Sequence, residues 1–401
     1  MKFLTVTATG LAALVATTGA NAQSAKAASP AVAAAPSVKV SEKARPAVVA
    51  LQAAVTANDR ARIPGALAAA KAAAQTSDDR WMIAGLEMKA ALAVKDYAGM
   101  ATALDAIVAA GHATPAQAVE SYKTIATEEY NAKDYSGAAA LFEKASKLDP
   151  SDTEALTLQG RSLVLGGKAN QAVPIIQRAI KASAASGAKV DENLYRLAVQ
   201  AAFDSKSPAT LDLARQWLSA YPSADSWHNT LLIYRGSAEL DDVGSLALLR
   251  LMNATGGLTS AADYERYLKG ALLQSNFNEA HAVLDQAIAA KVLTPSSAIA
   301  TEVSGKPKAS AADLIAASKN AQSGAAVLKI GDRMYGLGEY AQAADLYRKA
   351  KARGVDAGTA DLSTGIALAR AGDKAGAVAA LKGVSRAQAG IAEYWLLYLA
   401  K

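Results

Sequence analysis

Along most of the chain, bulky apolar residues recur at helical spacing, broken by short polar stretches that carry Gly or Asp, and small residues fill many intervening positions. Apolar side chains three and four residues apart form one stripe on a helix, so the pattern predicts successive helices. Alternating runs of Val, Ile, Thr and aromatics bounded by turns are hard to find, which argues against a sheet. The pattern is clearest near the C-terminus. Ile330-Gly331 is followed by Gly338-Glu339-Tyr340, Ala343, Tyr347 and Ala350, and the same types return as Gly365, Gly372-Asp373, Ala377 and Leu381. Gly331 and Gly365, Gly338 and Gly372, and Ala343 and Ala377 are each 34 residues apart. Earlier, Asp134-Tyr135, Ala138, Phe142, Ala145 and Pro150 lead into Gly160, Gly167, Ala172, Ile176 and Ala179, where Ala138/Ala172 and Ala145/Ala179 keep the 34-residue spacing. A fixed period of this length predicts stacked helix pairs, each burying its apolar face on its neighbours.

These residues resemble the tetratricopeptide (TPR) repeat, a 34-residue unit of helix, tight turn and antiparallel helix. The family pattern places a small residue at position 8, Gly at 15, small residues at 20 and 27, a large apolar or aromatic residue at 24, and Pro near 32. With Thr153 as position 1, Gly160, Gly167, Ala172, Ile176 and Ala179 fall on positions 8, 15, 20, 24 and 27. With Gly324 as position 1, Gly331, Gly338, Ala343, Tyr347 and Ala350 fall there. A small residue at 8 lets the two helices close, and the large one at 24 fills the space beside it. Gly at 15 ends the first helix in a conformation that a β-carbon resists. The resemblance implies an all-α fold: a TPR-like α-solenoid of antiparallel helix hairpins, in one superhelix or two abutting stacks.

On this register, residues 43–293 are expected to form an N-terminal stack, with TPR-like units near 81–111, 119–152, 153–186 and 261–293. Residues 190–256 read as two divergent hairpins, 192–222 and 225–256, with Thr210 and Trp217 where small residues are usual. An irregular joint is expected at 294–323, around Pro295 and Ser304-Gly305-Lys306-Pro307. A C-terminal stack, 324–401, would end in a capping helix carrying Ile391, Tyr394, Trp395, Leu397 and Tyr398. At the other end, Lys2, the apolar run from Phe3 to Val15 and the small-residue site Ala20-Asn21-Ala22 read as a secretory signal peptide over 1–22, cleaved between Ala22 and Gln23. The apolar run is shorter than the roughly 20 residues of a membrane-spanning helix, so no transmembrane helix is expected after cleavage. Residues 23–42, rich in Ala, Ser and Pro, read as a disordered spacer. A periplasmic or secreted protein is the expectation.

Composition narrows the chemistry. The absence of Cys removes disulfides and thiolate chemistry. Lys and Arg number 42 against 36 Asp and Glu, a net charge of +6 with no basic run, so nucleic acid is not an expected partner. The histidines, His112, His228 and His281, fall in no helix-spaced metal motif. Ser304-Gly305-Lys306 lacks the flanking residues of a phosphate loop, and the acid pairs Glu128-Glu129 and Asp241-Asp242 read as solvated faces or first-turn pairings. No catalytic residue, cofactor or metal is predicted, and the chain reads as a non-enzyme.

What remains is the groove formed by stacked first helices. The resemblance implies that positions 2, 5, 9, 12 and 13 of each first helix face it and touch a peptide. Carried over, these are Lys123 at position 5, Tyr130 and Asn131 at 12 and 13, Arg161 at 9, Asp332 and Tyr335 at 9 and 12, and Arg370 at 13. The family's Lys/Asn clamp for a terminal carboxylate is not matched, because Thr127 stands at position 9 beside Lys123. The expected function is a non-catalytic protein-interaction scaffold of the bacterial cell envelope, binding a protein or peptide partner. Two alternatives stay open: a self-associating, homo-oligomeric envelope protein, and an accessory subunit of an envelope polysaccharide or secretion machinery.

Overall fold

The computed structural model describes residues 38–385 and 388–400; the expected signal peptide and residues 23–37 of the expected spacer lie outside them. Among the described residues there are 21 helices and no strand. They divide between Ser207 and Pro208 into two compact units.

The N-terminal unit holds α1 (Arg45–Thr56), α2 (Ile63–Ala73), α3 (Ser77–Ala93), α4 (Tyr97–Ala109), α5 (Pro115–Asn131), α6 (Tyr135–Leu148), α7 (Thr153–Leu165), α8 (Ala169–Ala185) and α9 (Glu192–Asp204). Consecutive helices pack on one another, as hairpin follows hairpin. The C-terminal unit holds α10 (Thr210–Ala220), α11 (Ala224–Ser237), α12 (Asp242–Ala254), α13 (Ala261–Leu273), α14 (Phe277–Ala289), α15 (Ala298–Ser304), α16 (Ala311–Asn320), α17 (Gly324–Gly336), α18 (Tyr340–Ala352), α19 (Ala357–Ala371), α20 (Lys374–Lys382) and α21 (Ala389–Leu399). Helix α21 packs on α19 and α20.

The contacts between positions 8 and 24 explain why these hairpins close. A β-carbon on Gly160 would lie 2.5 Å from Ile176 Cγ1, one on Gly331 2.7 Å from Tyr347 Cε1, and one on Gly365 2.5 Å from Leu381 Cγ. In each pair the residues stand at 8 and 24, and a larger residue at 8 would drive the helices apart. The turn is as regular. Position 15 has positive φ in six hairpins: Lys95, Lys133, Gly167, Ser275, Gly338 and Gly372. Directly after it, Asp96, Asp134 and Asp373 cap the second helix by accepting from the backbone N–H of Gly99, Gly137 and Gly376, each at 2.9 Å. This Asp-x-x-Gly cap satisfies one of the orphan donors at the helix start.

Several boundaries differ from the expectation. Helices α1 and α2 form an N-terminal hairpin without repeat marks, its Val48, Leu51 and Val55 buried together with Ile83 of α3. Part of the expected spacer belongs to the folded body: Asp79, fully buried, accepts from the Ser41 backbone N–H and hydroxyl, both at 2.7 Å. The unit boundary falls between Ser207 and Pro208 and so splits the hairpin expected at 192–222; α10 pairs with α11 instead. The segment 294–323 contains two short helices, α15 and α16, outside the main stacking, for α14 packs directly on α17. Asn278 ties this segment down, donating to the carbonyls of Ala309 (3.1 Å) and Arg333 (3.3 Å) and accepting from the Ala309 N–H (3.0 Å). Gly336 lies against the Glu279 backbone, where a side chain would collide with main chain rather than with a movable group.

Candidate protein-binding surface

In the N-terminal unit the first helices α5 and α7 carry four of the expected groove residues. Lys123 is not open to a ligand. Its ammonium pairs with Asp152 at 3.2 Å, the N-cap of α7, with Glu154 in the first turn of α7, and with Glu120 of α5 at 3.3 Å. Burial alone would lower its pKa, but hydrogen bonds and charge from Glu154 and Asp152 raise it, so Lys123 is a fixed cation binding one hairpin to the next. The other three stay accessible. Tyr130 is half-buried, its ring edge-on to Tyr135 at 5.4 Å between centroids, while Asn131 and Arg161 are exposed. Among the described residues neither the Asn131 amide nor the Arg161 guanidinium has a hydrogen-bonding or charged partner.

Glu129, expected on a solvated face, is buried beside Gly137 at the start of α6, and its Oε2 has no partner. Burial, and then the charge of Asp134, raise its pKa.

The C-terminal unit uses the same positions differently. Tyr335 and Tyr340 stand at positions 12 and 17, as Tyr130 and Tyr135 do, and form the same edge-on pair at 5.0 Å. Here the pair is occupied. The guanidinium of Arg250, from α12, lies 4.1 Å above the Tyr335 ring, forks onto both carboxylate oxygens of Glu279 at 2.8 and 2.7 Å, and reaches Asp332 Oδ1 at 3.3 Å. Tyr267 donates to Glu279 at 2.8 Å and Tyr347 to Asp332 at 2.8 Å. Burial would lower the Arg250 pKa, but the Glu279 charge and fork raise it well above the ordinary value. Burial also raises the Tyr335, Tyr267 and Tyr347 hydroxyls, and it pushes the Asp332 carboxyl up despite the opposing charge of Arg250. Asp332 and Tyr335, expected to touch a partner, are therefore engaged by the unit's own α12. Arg370 is likewise used internally: half-buried, it lies 5.3 Å over the Tyr340 ring and donates to its hydroxyl at 3.4 Å. Helix α12 also packs on α19 and α21, where Trp395 donates to the Ala247 carbonyl at 3.1 Å.

The seven expected residues thus sort into an open set, Tyr130, Asn131 and Arg161, and an engaged set, Lys123, Asp332, Tyr335 and Arg370. Sequence reasoning missed Arg250, Glu279 and Tyr267; of these only Arg250, set between Leu248-Leu249 and Leu251-Met252, carries a signal in the sequence. The histidines serve locally, His112 against Asp78 (3.1 Å), His228 against the Gly257 carbonyl (2.7 Å) and His281 against the Lys306 carbonyl (2.9 Å). Among the described residues no group of side chains could hold a metal ion, and no helix is long and apolar enough to cross a membrane.

No family model matches the chain, and no curated protein matches it either. Among solved structures it is similar to YrrB, a TPR protein with an unusual peptide-binding site, at 16% identity over 46% of this chain and 91% of that one, with a TM-score of 0.32. It is also similar to the TPR2AB domain of yeast Sti1 in complex with pHSP90, at 12% identity over 71% and 98% of the two chains (TM-score 0.25). A third is PilF of Pseudomonas aeruginosa, at 12% identity over 66% and 98% (TM-score 0.23). The 34-residue register, the three contacts between positions 8 and 24 and the left-handed position 15 of six hairpins make this chain an all-α helical repeat array, consistent with the tetratricopeptide family.

Proposed function

We propose that this chain is a non-catalytic scaffold that binds an extended segment of a protein partner through the first helices α5 and α7. The observation that carries the reading is the contrast between two equivalent aromatic pairs. Tyr335/Tyr340 is filled by Arg250, whereas no cation lies over Tyr130/Tyr135 among the described residues. The open surface combines a tyrosine ring, a primary amide and an unpaired guanidinium. Tyrosine supplies area at low entropic cost, Asn can pair with a peptide main chain, and the arginine fork fits a carboxylate. The ligand that fits is an extended peptide segment with Asp or Glu next to a bulky apolar residue.

A peptide library selected on the chain should yield such sequences, and changing Tyr130, Asn131 and Arg161 together to Ala should weaken the selected peptides at least tenfold. Unchanged affinity in that variant would refute this surface. The bacterial envelope is the proposed setting, supported by the charge, apolar run and small-residue site of residues 1–22. Expressed in a bacterial host, the protein should be recovered from the periplasm or medium with Gln23 as its first residue. Recovery from the cytoplasm with Met1 intact would contradict export.

A further inference from the structure

A second site lies in the C-terminal unit, away from the residues assigned above. The end of α11 and the helices α12 and α13 line a half-open cleft of about 380 Å³, within the range of small-molecule sites. Its walls are leucines: Leu240, Leu246, Leu248 and Leu249 on one side and Leu273 on the other. Leu273 is 75% exposed, far more than a leucine with an apolar neighbour to cover it. Gly270 also lines the cleft, and a β-carbon there would lie in ordinary contact with Leu249 Cδ1 at 3.6 Å.

The polar lining is lopsided. Three cations, Arg235, Arg266 and Lys269, stand at the cleft against one carboxylate, Asp242. Lys269 is 3.7 Å from Glu265, and Arg266 has no ion pair among the described residues. The Nη1 of Arg235 is buried with no hydrogen-bond partner. Burial, and then repulsion from Arg266, lower the Arg235 pKa, and the nearby Asp263 only partly opposes them. The Asp263 carboxylate is already used by Ser260 and Thr259 at the cap of α13. A carboxylate arriving beside Arg235 and Arg266 would offset the repulsion between the two guanidiniums.

We propose that this cleft binds a single-chain fatty carboxylate, its head on Arg235 and Arg266 and its acyl chain along the leucines. A peptide fits less well. At this cleft the side-chain amide of Gln274 already donates to the Asp242 carbonyl at 2.7 Å, which leaves few neutral groups to pair with a peptide main chain, whereas an acyl chain needs none. One short chain suits the volume, with its far end covering Leu273.

The test uses the full chain and decanoate below its micellar concentration, followed by titration calorimetry. One saturable site is expected. Arg235→Gln and Arg266→Met should each weaken it about tenfold or more, the loss expected for a charge-assisted hydrogen bond. Decanol, which lacks the charge, and acetate, which lacks the chain, should bind at least tenfold more weakly than decanoate. Because Arg266 and Leu273 are exposed, Arg266→Met and Leu273→Asp should leave the helical circular dichroism unchanged, which separates lost binding from lost fold. Absence of saturable binding, equal binding of decanol, equal binding of acetate, or full affinity in Arg266→Met would each overturn the assignment.

Discussion

Arg250 shows what a buried cation needs. It is 4% exposed and satisfied by the Glu279 fork, by Asp332 and by the face of Tyr335. Removing one partner of such a group strands the others, which costs more than the pair contributes when intact. Arg250→Met should therefore destabilise the protein by about 3 to 5 kcal/mol, read as a lower urea midpoint. Asp79 is the acidic counterpart. Burial would raise its pKa, but hydrogen bonds from Gln75, Ser41 and Thr76 hold it at about 2. Because the folded pKa lies below the unfolded value of about 3.9, the stabilisation is complete above that value and is lost as pH falls towards 2, up to about 2 kcal/mol. Urea midpoints of the parent chain should fall over that window, and Asp79→Asn should make that fall shallower by the share that Asp79 contributes.

At the scale of the element, each hairpin rests on a small residue facing a large one and on a left-handed turn. Gly160→Leu should overpack the seam against Ile176 and cost about 1 to 3 kcal/mol, measured by thermal melting. The turn makes the opposite kind of prediction. Lys95 and Lys133 hold positive φ where other repeats place Gly, so Lys133→Gly should raise stability by roughly 1 kcal/mol. These features were legible in the sequence because they are local: positions 8, 15 and 24 lie within one 34-residue unit. The Asp-x-x-Gly cap was equally visible in the letters but carries meaning only once the turn geometry is known. The α1–α2 hairpin was not legible, since Ala-rich helices without a turn glycine or a position-24 aromatic leave no periodic mark.

Across the whole molecule, the organisation follows contacts that sequence spacing does not encode. Arg250 and Asp332 are 82 residues apart, and nothing in either helix alone says that α12 will lie on positions 9 and 12 of α17. That contact changes the assignment of Asp332 and Tyr335 from ligand-facing to internal. It leaves Tyr130, Asn131 and Arg161 as the available set. The division between Ser207 and Pro208 was also hidden, because the flanking helices share the same amphipathic pattern. Each unit has a buried cluster of its own, so residues 208–401 expressed alone should give a cooperative melt; a gradual, non-cooperative loss of helix would contradict an independent core.

The central claim is that partner binding belongs to the open first helices and not to the equivalent positions already engaged within the C-terminal unit. Its most direct test is the affinity of library-selected peptides for two variants, each first checked for unchanged helical circular dichroism, the triple change of Tyr130, Asn131 and Arg161 to Ala and the single change Arg370→Ala. At least a tenfold loss in the triple variant with unchanged affinity in Arg370→Ala is the predicted result. Unchanged affinity in the triple variant, or a loss confined to Arg370→Ala, would contradict the account.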